Sequence, residues 1–376
     1  MKIVSVVGAR PNFMKIAPLI EALREVEGVR HFLVHSGQHY DDQMSAGFFR
    51  DLGLPQPDTN LGVASGTHAW QTAETMKRLE PVLLEQRPDL VVVVGDVNTT
   101  LAGALTASKL GLRIAHVEAG LRSFDFSMPE EINRKLTDAV ADFLFASEES
   151  GVTNLRREGV PQERIFLVGN VMIDTLVRLR ARAEQSKVLD RLLLRSAGPA
   201  LSYGALTLHR PSNVDSPEIL GRILAAVAEI SKLAPIYFPA HPRTRTEIDR
   251  NGFRHFFRPE LEPQAQCGLF LLEPLGYLDF LCLLNHARLV LTDSGGIQEE
   301  TTVLGVACLT LRENTERPIT LSQGTNTLVG SDPARIVGAA LRALNGDFPH
   351  GCLPPLWDGG AAERIVQILL QRLRPT

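Results

Sequence analysis

The densest set of residues able to do chemistry lies between Ala287 and Leu304. An apolar, strand-like run ends in Asp293-Ser294-Gly295-Gly296, and a helix-like run carrying Glu299 and Glu300 follows. Glycines where a helix begins let backbone N–H groups approach an anion closely, and the helix dipole favours negative charge there. Ser294, Gly295 and Gly296 are therefore candidate phosphate ligands. Glu300 falls about one turn into the helix, too deep to cap it. A carboxylate at that place can bridge two neighbouring sugar hydroxyls. Phosphate donors beside a diol acceptor describe a nucleotide site. An ordinary β-loop-α connection with an N-cap serine explains Ser-Gly-Gly equally well.

Other candidates sit at the ends of strand-like runs. Gly8 to Lys15 matches neither the GxGxxG dinucleotide fingerprint nor the Walker A loop. Arg10 just before a helix and Lys15 in its first turns oppose the helix dipole by up to about 1 kcal/mol each. A bound anion would reverse that penalty. Asp96 follows the Val91–Val94 run and Glu118 follows Ile114–Val117, so both carboxylates emerge at one rim of a sheet. Close together in a cleft, each would raise the pKa of the other, which suits general acid–base work. Asp96 also serves as an N-cap for the next helix, whereas Glu makes a poor cap. Ser127 and Glu130 match the capping box S-x-x-E with Pro129 in the first turn, which makes Glu130 as much a helix signal as a catalytic candidate. In the second half, His209 lies just past a strand end, where it can donate to phosphate or shuttle a proton. His241 has a similar position. Arg317 reads as an anion contact or as the salt-bridge partner of Glu316.

Short β-branched runs alternate with helical patterns to position these groups. The strands expected are Ile3–Val7, His31–Ser36, Leu90–Val94, Arg113–Val117, Phe143–Ala146 and Ile165–Val168, with helices such as Met14–Glu25 and Thr99–Lys109 between them. The grammar repeats in Ala205–Leu208, Ile236–Pro239, Phe270–Leu272, Leu289–Leu291 and Val306–Leu309. Alternation of this kind predicts parallel strands with crossover helices. The expected fold is α/β: two doubly wound Rossmann-like domains facing a central cleft, with ligands beyond the carboxyl ends of the strands. The expected divisions are 1–169, 170–358 and a C-terminal helix in 359–376 that crosses back to the first domain. A chain of 376 residues suits two domains. A net charge of −4 gives no reason to expect nucleic acid, and the four cysteines form no CxxC pair, against both a zinc site and a disulfide framework. No apolar run reaches membrane-spanning length and no signal peptide opens the chain, so a cytoplasmic protein is expected.

Taken together, VGARPNFMKIAPL, GQHYDDQMS, GDVNTT, HVEAGLRS, MPEEINR, LHRPSN, TDSGGIQEE and NTERP resemble the non-hydrolysing UDP-N-acetylglucosamine 2-epimerases almost end to end. The resemblance implies a glycosyltransferase-B-type architecture, no cofactor or metal, and a homodimer. It also implies interconversion of UDP-N-acetylglucosamine and UDP-N-acetylmannosamine. Carried over residue by residue, it implies acid–base roles for Asp96, Glu118 and Glu130, assistance from His209, and Arg10 and Lys15 facing the diphosphate or the sugar. Ser294, Gly295 and Gly296 would bind phosphate and Glu300 the ribose hydroxyls. Some members bind an activating nucleotide sugar through a Gln-His-Arg-x-x-Gln-like segment. The corresponding residues run from Gln38 to Gln43 with Tyr40 in place of the arginine, and His241 joins them as a second-site candidate. Asn12 replaces a glutamate found in other branches. The C2 proton of such a sugar is not adjacent to a carbonyl, so expulsion of UDP to leave an unsaturated 2-acetamidoglucal, followed by re-addition, is the expected route. The alternatives are a glycosyltransferase of the same fold and a hydrolysing epimerase that releases N-acetylmannosamine.

Overall fold

The computed structural model describes residues 1–37, 51–192, 194, 202–259 and 267–373. Two compact units are formed, Met1–Arg178 with Pro355–Thr376, and Leu179–Pro354. The first contains strands β1 (Lys2–Val7), β2 (Arg30–His35), β3 (Thr59–Asn60), β4 (Leu90–Val94), β5 (Ile114–Val117), β6 (Phe143–Ala146) and β7 (Ile165–Leu167). The second contains β8 (Gly204–Thr207), β9 (Ile236–Pro239), β10 (Leu269–Leu272), β11 (Leu289–Thr292), β12 (Ala307–Thr310) and β13 (Asn326–Leu328). Every strand pairing described is parallel.

The sheet orders are β3-β2-β1-β4-β5-β6-β7 and β10-β9-β8-β11-β12-β13. Each is doubly wound, with the order reversing between β1 and β4 in one unit and between β8 and β11 in the other. A parallel sheet covered on both faces needs strands that are apolar throughout, which is why Leu90–Val94 reads as an unbroken run rather than an alternation. The helices of the first unit are α1 (Arg10–Arg24), α2 (His68–Gln86), α3 (Asn98–Lys109), α4 (Pro129–Val140) and α5 (Glu149–Arg157). After them comes α6 (Val171–Ala183), which continues past Arg178 into the second unit. Val4, Val6, Val91 and Val93 pack with Leu79 and Leu83 of α2 and with Ala104 and Ala107 of α3.

The second unit holds the short α7 (Val188–Arg191) and α8 (Pro211–Val214), then α9 (Pro217–Ile230), α10 (Pro242–Arg250), α11 (Tyr277–Asn285), α12 (Gly295–Leu304), α13 (Pro318–Ser322) and α14 (Pro333–Leu344). Leu206, Leu289, Leu291 and Leu309 form its core with Leu220, Ile223 and Val227 of α9 and Ile336 and Ala340 of α14. Among the described residues no helix is long and apolar enough to cross a membrane.

The last helix, α15 (Ala361–Leu373), belongs to the first unit and packs on α1. Its approach is fixed by polar contacts. The Trp357 indole N–H donates to Ser147 O at 3.0 Å. Asp174 accepts from Ala361 N at 3.1 Å and Ala362 N at 2.7 Å, capping the start of α15 from a different helix. Replacing a helix-capping acceptor costs about 1 kcal/mol. Asp174→Ala is therefore expected to lower the melting temperature of this unit by roughly 2–4 °C, read by differential scanning calorimetry.

Candidate active site

In the first unit the site grows from three neighbouring strand ends. Val94 pairs with Val117 across β4 and β5, so Gly95-Asp96 and Glu118 leave the sheet side by side. Gly95 sits at φ +68, and a Cβ there would stand 2.9 Å from Lys15 Nζ, so both the turn and the approach of the lysine require glycine. Glu118 adopts φ +74, a conformation that costs a side-chain-bearing residue on the order of 1–3 kcal/mol and concentrates at functional sites. Its carboxylate forms a buried ion pair with Lys15. Asp96 is held by Arg134 of α4, with Nη1 to Oδ2 at 2.5 Å, while Asn133 donates to Asp96 O at 2.9 Å.

Arg134 in turn is set by Glu131 at 2.7 Å. Glu131 also accepts from Ser123 N at 2.9 Å and Phe124 N at 3.2 Å. Burial would raise the Glu131 carboxyl, but the Ser123 amide and the Arg134 guanidinium outweigh it and hold it below the usual range. Each acid-bearing loop thus faces a buried cation instead of only the other acid. Glu130, half-buried in the first turn of α4, lies beside this network. Asn12 accounts for its own replacement. Its Oδ1 accepts from Gly8 N and Ala9 N, each at 3.2 Å, and its Nδ2 donates to Val94 O at 2.9 Å. A glutamate cannot make that last bond, since an ionised carboxylate donates nothing.

In the second unit, Asp293 at the end of β11 organises the rim. It is wholly buried and accepts from His209 N at 3.1 Å, Arg210 N at 3.0 Å and Asn213 Nδ2 at 3.2 Å. His209 Nδ1 lies 2.9 Å from Asp293 Oδ1. Burial would raise the Asp293 carboxyl, but the His209 side chain and the two backbone N–H groups more than offset it and keep it low. The His209 ring is exposed, and with Nδ1 committed to Asp293 its Nε2 is the nitrogen left for a ligand. Gly295 and Gly296 begin α12, with Ser294 at the N-cap making no side-chain cap bond. A Cβ on Gly295 would stand 2.5 Å from Glu316 Oε1, so this glycine makes room for a buried carboxylate. Arg312 at 2.8 Å and Arg210 at 3.4 Å hold that carboxylate. Despite burial, Arg312, Arg317 and Arg210 keep it far below the usual range. Burial pushes Glu300 up to about 7, only partly offset by a 3.0 Å hydrogen bond from Tyr277 OH.

Several sequence expectations change. Arg10 is the first residue of α1 rather than the residue before it, because Pro11 can occupy the opening turn. Asp96 does not cap α3. Val97 takes the N-cap position. The capping box of Ser127 and Glu130 does not form, because Met128 is the N-cap and Ser127 bonds Asp125 Oδ1 instead. Arg317 forms an ion pair with Glu299 at 2.5 Å, and its charge also helps hold the Glu316 carboxyl low. His241 caps α10, accepting from Arg243 N at 3.3 Å. Gln38 and Gln43 lie outside the described residues. Reading the sequence missed Arg134, Glu131 and Asp293. The i,i+3 spacing of Glu131 and Arg134 was a usable signal, and so was an acid directly after an apolar strand. Among the described residues no three of His, Cys, Asp or Glu cluster as a metal site. Removing one partner of a buried ion pair costs about 3–5 kcal/mol, whereas replacing both by apolar groups is often neutral. Lys15→Met alone should therefore destabilise the first unit by about that amount, and Lys15→Met with Glu118→Leu by much less, as read by urea denaturation.

The comparisons with known proteins agree with one another. The sequence matches the UDP-N-acetylglucosamine 2-epimerase family over residues 21–370. A protein of Methanococcus maripaludis named UDP-N-acetylglucosamine 2-epimerase is 42% identical over 100% of both chains. A Pseudomonas aeruginosa UDP-2,3-diacetamido-2,3-dideoxy-D-glucuronate 2-epimerase is 41% identical over 98% of this chain and 99% of its own. The crystal structure of the Methanocaldococcus jannaschii UDP-GlcNAc 2-epimerase in complex with UDP-GlcNAc and UDP superposes with a TM-score of 0.87 at 42% identity, covering 99% of this chain and 100% of that one. The chain therefore belongs to the UDP-N-acetylglucosamine 2-epimerase family, whose members are isomerases.

Proposed function

We propose that this protein interconverts UDP-N-acetylglucosamine and UDP-N-acetylmannosamine without net hydrolysis. The observation that carries the reading is the pair of carboxylates on adjacent strand ends, Asp96 and Glu118, each held by a buried cation, one of them in a strained backbone conformation. A merely structural loop would relax φ +74 or use glycine there.

The start of α12, with Arg210 and the Nε2 of His209, offers donors to a diphosphate, and Glu300 accepts from the ribose hydroxyls. A carboxylate takes the proton from C2. The C2–H electron pair becomes the C1=C2 double bond, and the C1–O bond breaks with its pair leaving on UDP. The donors to the diphosphate stabilise the charge that develops on that leaving oxygen. In return, a phosphate oxygen attacks C1 while C2 takes a proton on the opposite face from a second acid, which inverts the centre. Asp96, Glu118 and Glu130 supply these proton-transfer groups. Lys15 keeps Glu118 oriented, and Arg134 does so for Asp96.

A second reading keeps the chemistry and changes the sugar. The Pseudomonas relative, at 41% identity, acts on a nucleotide sugar that differs at C3 and C6 but shares C2 and UDP. Comparing kcat/KM for the two nucleotide sugars separates them, and the ordinary substrate is expected to win.

In heavy water, UDP-N-acetylglucosamine should acquire deuterium at C2 as UDP-N-acetylmannosamine appears. Accumulation of free sugar would instead mark a hydrolase. Asp96→Asn and Glu118→Gln should each lose about 10²–10⁴-fold in kcat while still binding UDP in calorimetric titration. Glu300 supplies a pH signature. Its folded pKa of about 7 lies above the ordinary value, so the folded free protein holds a proton that the unfolded chain releases. Its contribution to stability therefore declines as pH rises through 7. Ribose hydroxyls donating to the ionised form should displace that proton, so UDP binding near pH 6 should release more protons from the wild type than from Glu300→Gln. Titrations in buffers of different ionisation enthalpy measure the difference.

A further inference from the structure

His116 lies in β5, two residues before Glu118, and its ring is wholly buried in a strand otherwise filled with aliphatic side chains. Its Nε2–H donates to Gly95 O at 2.8 Å. Its Nδ1 faces Asp138 Oδ1 of α4 at 2.6 Å. The second oxygen of Asp138 accepts from Gly120 N at 3.0 Å and meets Arg122 Nη2 at 2.7 Å. Arg122 is itself fixed by Glu158 through two bonds of 2.9 and 2.6 Å. One imidazole–carboxylate pair thus grips backbone on both acid-bearing loops. It holds the carbonyl of the residue before Asp96 and the amide two residues after Glu118.

The sheet does not need this pair for its own integrity. Gly95 N already donates to Val117 O at 3.0 Å, and Glu118 N to Phe145 O at 3.0 Å. An aliphatic residue at 116 would pack in the strand but would leave Gly95 O and a buried Asp138 oxygen short of partners. What the imidazole adds is a fixed separation between the two loops.

We infer that His116 and Asp138 are positioning residues that hold Asp96 and Glu118 in register for proton transfer at C2. The inference rests on the epimerase reading above. Neither side chain touches substrate. Both act through the backbone of the loops that carry the acids, and misplacement by about 1 Å can cost 10²-fold in rate.

The test compares His116→Leu, His116→Gln and Asp138→Asn with the wild-type protein. Gln keeps an amide donor within reach of Gly95 O, whereas Leu keeps only volume. The expected result is a loss of about 10–100-fold in kcat for His116→Leu and Asp138→Asn, partly restored in His116→Gln. KM for UDP-N-acetylglucosamine and UDP affinity should stay within about threefold of wild type, because uniform binding is untouched. The share of turnovers that end in free UDP and 2-acetamidoglucal should rise, since a misplaced acid fails to reprotonate C2 before the intermediate escapes. Turnover is normalised to the folded fraction from thermal melting, and if His116→Leu fails to fold, the other two variants carry the comparison. Wild-type kcat per folded molecule in Asp138→Asn, or losses that track the folded fraction with no added glycal, would overturn the assignment. A wild-type protein that does not epimerise the substrate would instead remove the reading beneath it, and the assignment would fall with it.

Discussion

Charge compensation at the carboxyl ends of the strands is the constraint on which the rest of this structure depends. A carboxylate taken out of water must meet a cation or several donors, or it does not stay ionised. Glu118, Asp293 and Glu316 are all buried, and each is met. Lys15 faces Glu118, the N–H groups of His209 and Arg210 face Asp293, and Arg312 and Arg210 face Glu316. Glu300 is the exception that the same rule explains. Among the described residues its donor is the Tyr277 phenol, with Glu299 as a neighbouring like charge, so burial wins and its pKa rises to about 7.

The two units solve the same topological problem with opposite electrostatics. Both reverse strand order beside their first strand, and both gather their chemistry at that reversal. The first pairs the carboxylates Glu118 and Asp96 with the cations Lys15 and Arg134. The second keeps its acids behind, in Asp293 and Glu316, and presents backbone N–H groups, arginine and histidine.

The sequence showed the sheets clearly because parallel strands buried on both faces are continuous apolar runs, and Leu90–Val94 could hardly be anything else. The placement of Asp96, Glu118 and His209 at strand ends followed from those runs alone. What failed was local capping logic. Asp96 and Ser127 have the right residue types for caps, but Asp96 is drawn to Arg134, 38 residues on, and Ser127 to Asp125, leaving the caps to Val97 and Met128. The contact of Arg317 with Glu299 was not legible, because adjacency to Glu316 is visible in a sequence and the turn of helix that brings Glu299 to it is not. In the buried layer behind the acids, the Glu131–Arg134 pair left an i,i+3 signal on α4, but the reach of Arg134 to Asp96 and of Asp138 to His116 joins different elements, and only the folded chain shows that they converge.

That hidden layer matters for how such a site can vary. In the proposed reaction the acids that serve C2 are fixed by buried neighbours, so substituents elsewhere on the ring can change without disturbing them. A family that includes a relative acting on a sugar altered at C3 and C6 is consistent with that arrangement. Selectivity would then reside in residues that line the rest of the sugar, while the Lys15–Glu118 and Arg134–Asp96 pairs serve any substrate with a proton at C2 and UDP at C1. The strain at Glu118 has the same logic. A glycine there would relieve φ +74 but would remove the carboxylate, and moving the acid along the strand would take it away from Lys15. Backbone cost and buried charge are therefore tied to one position.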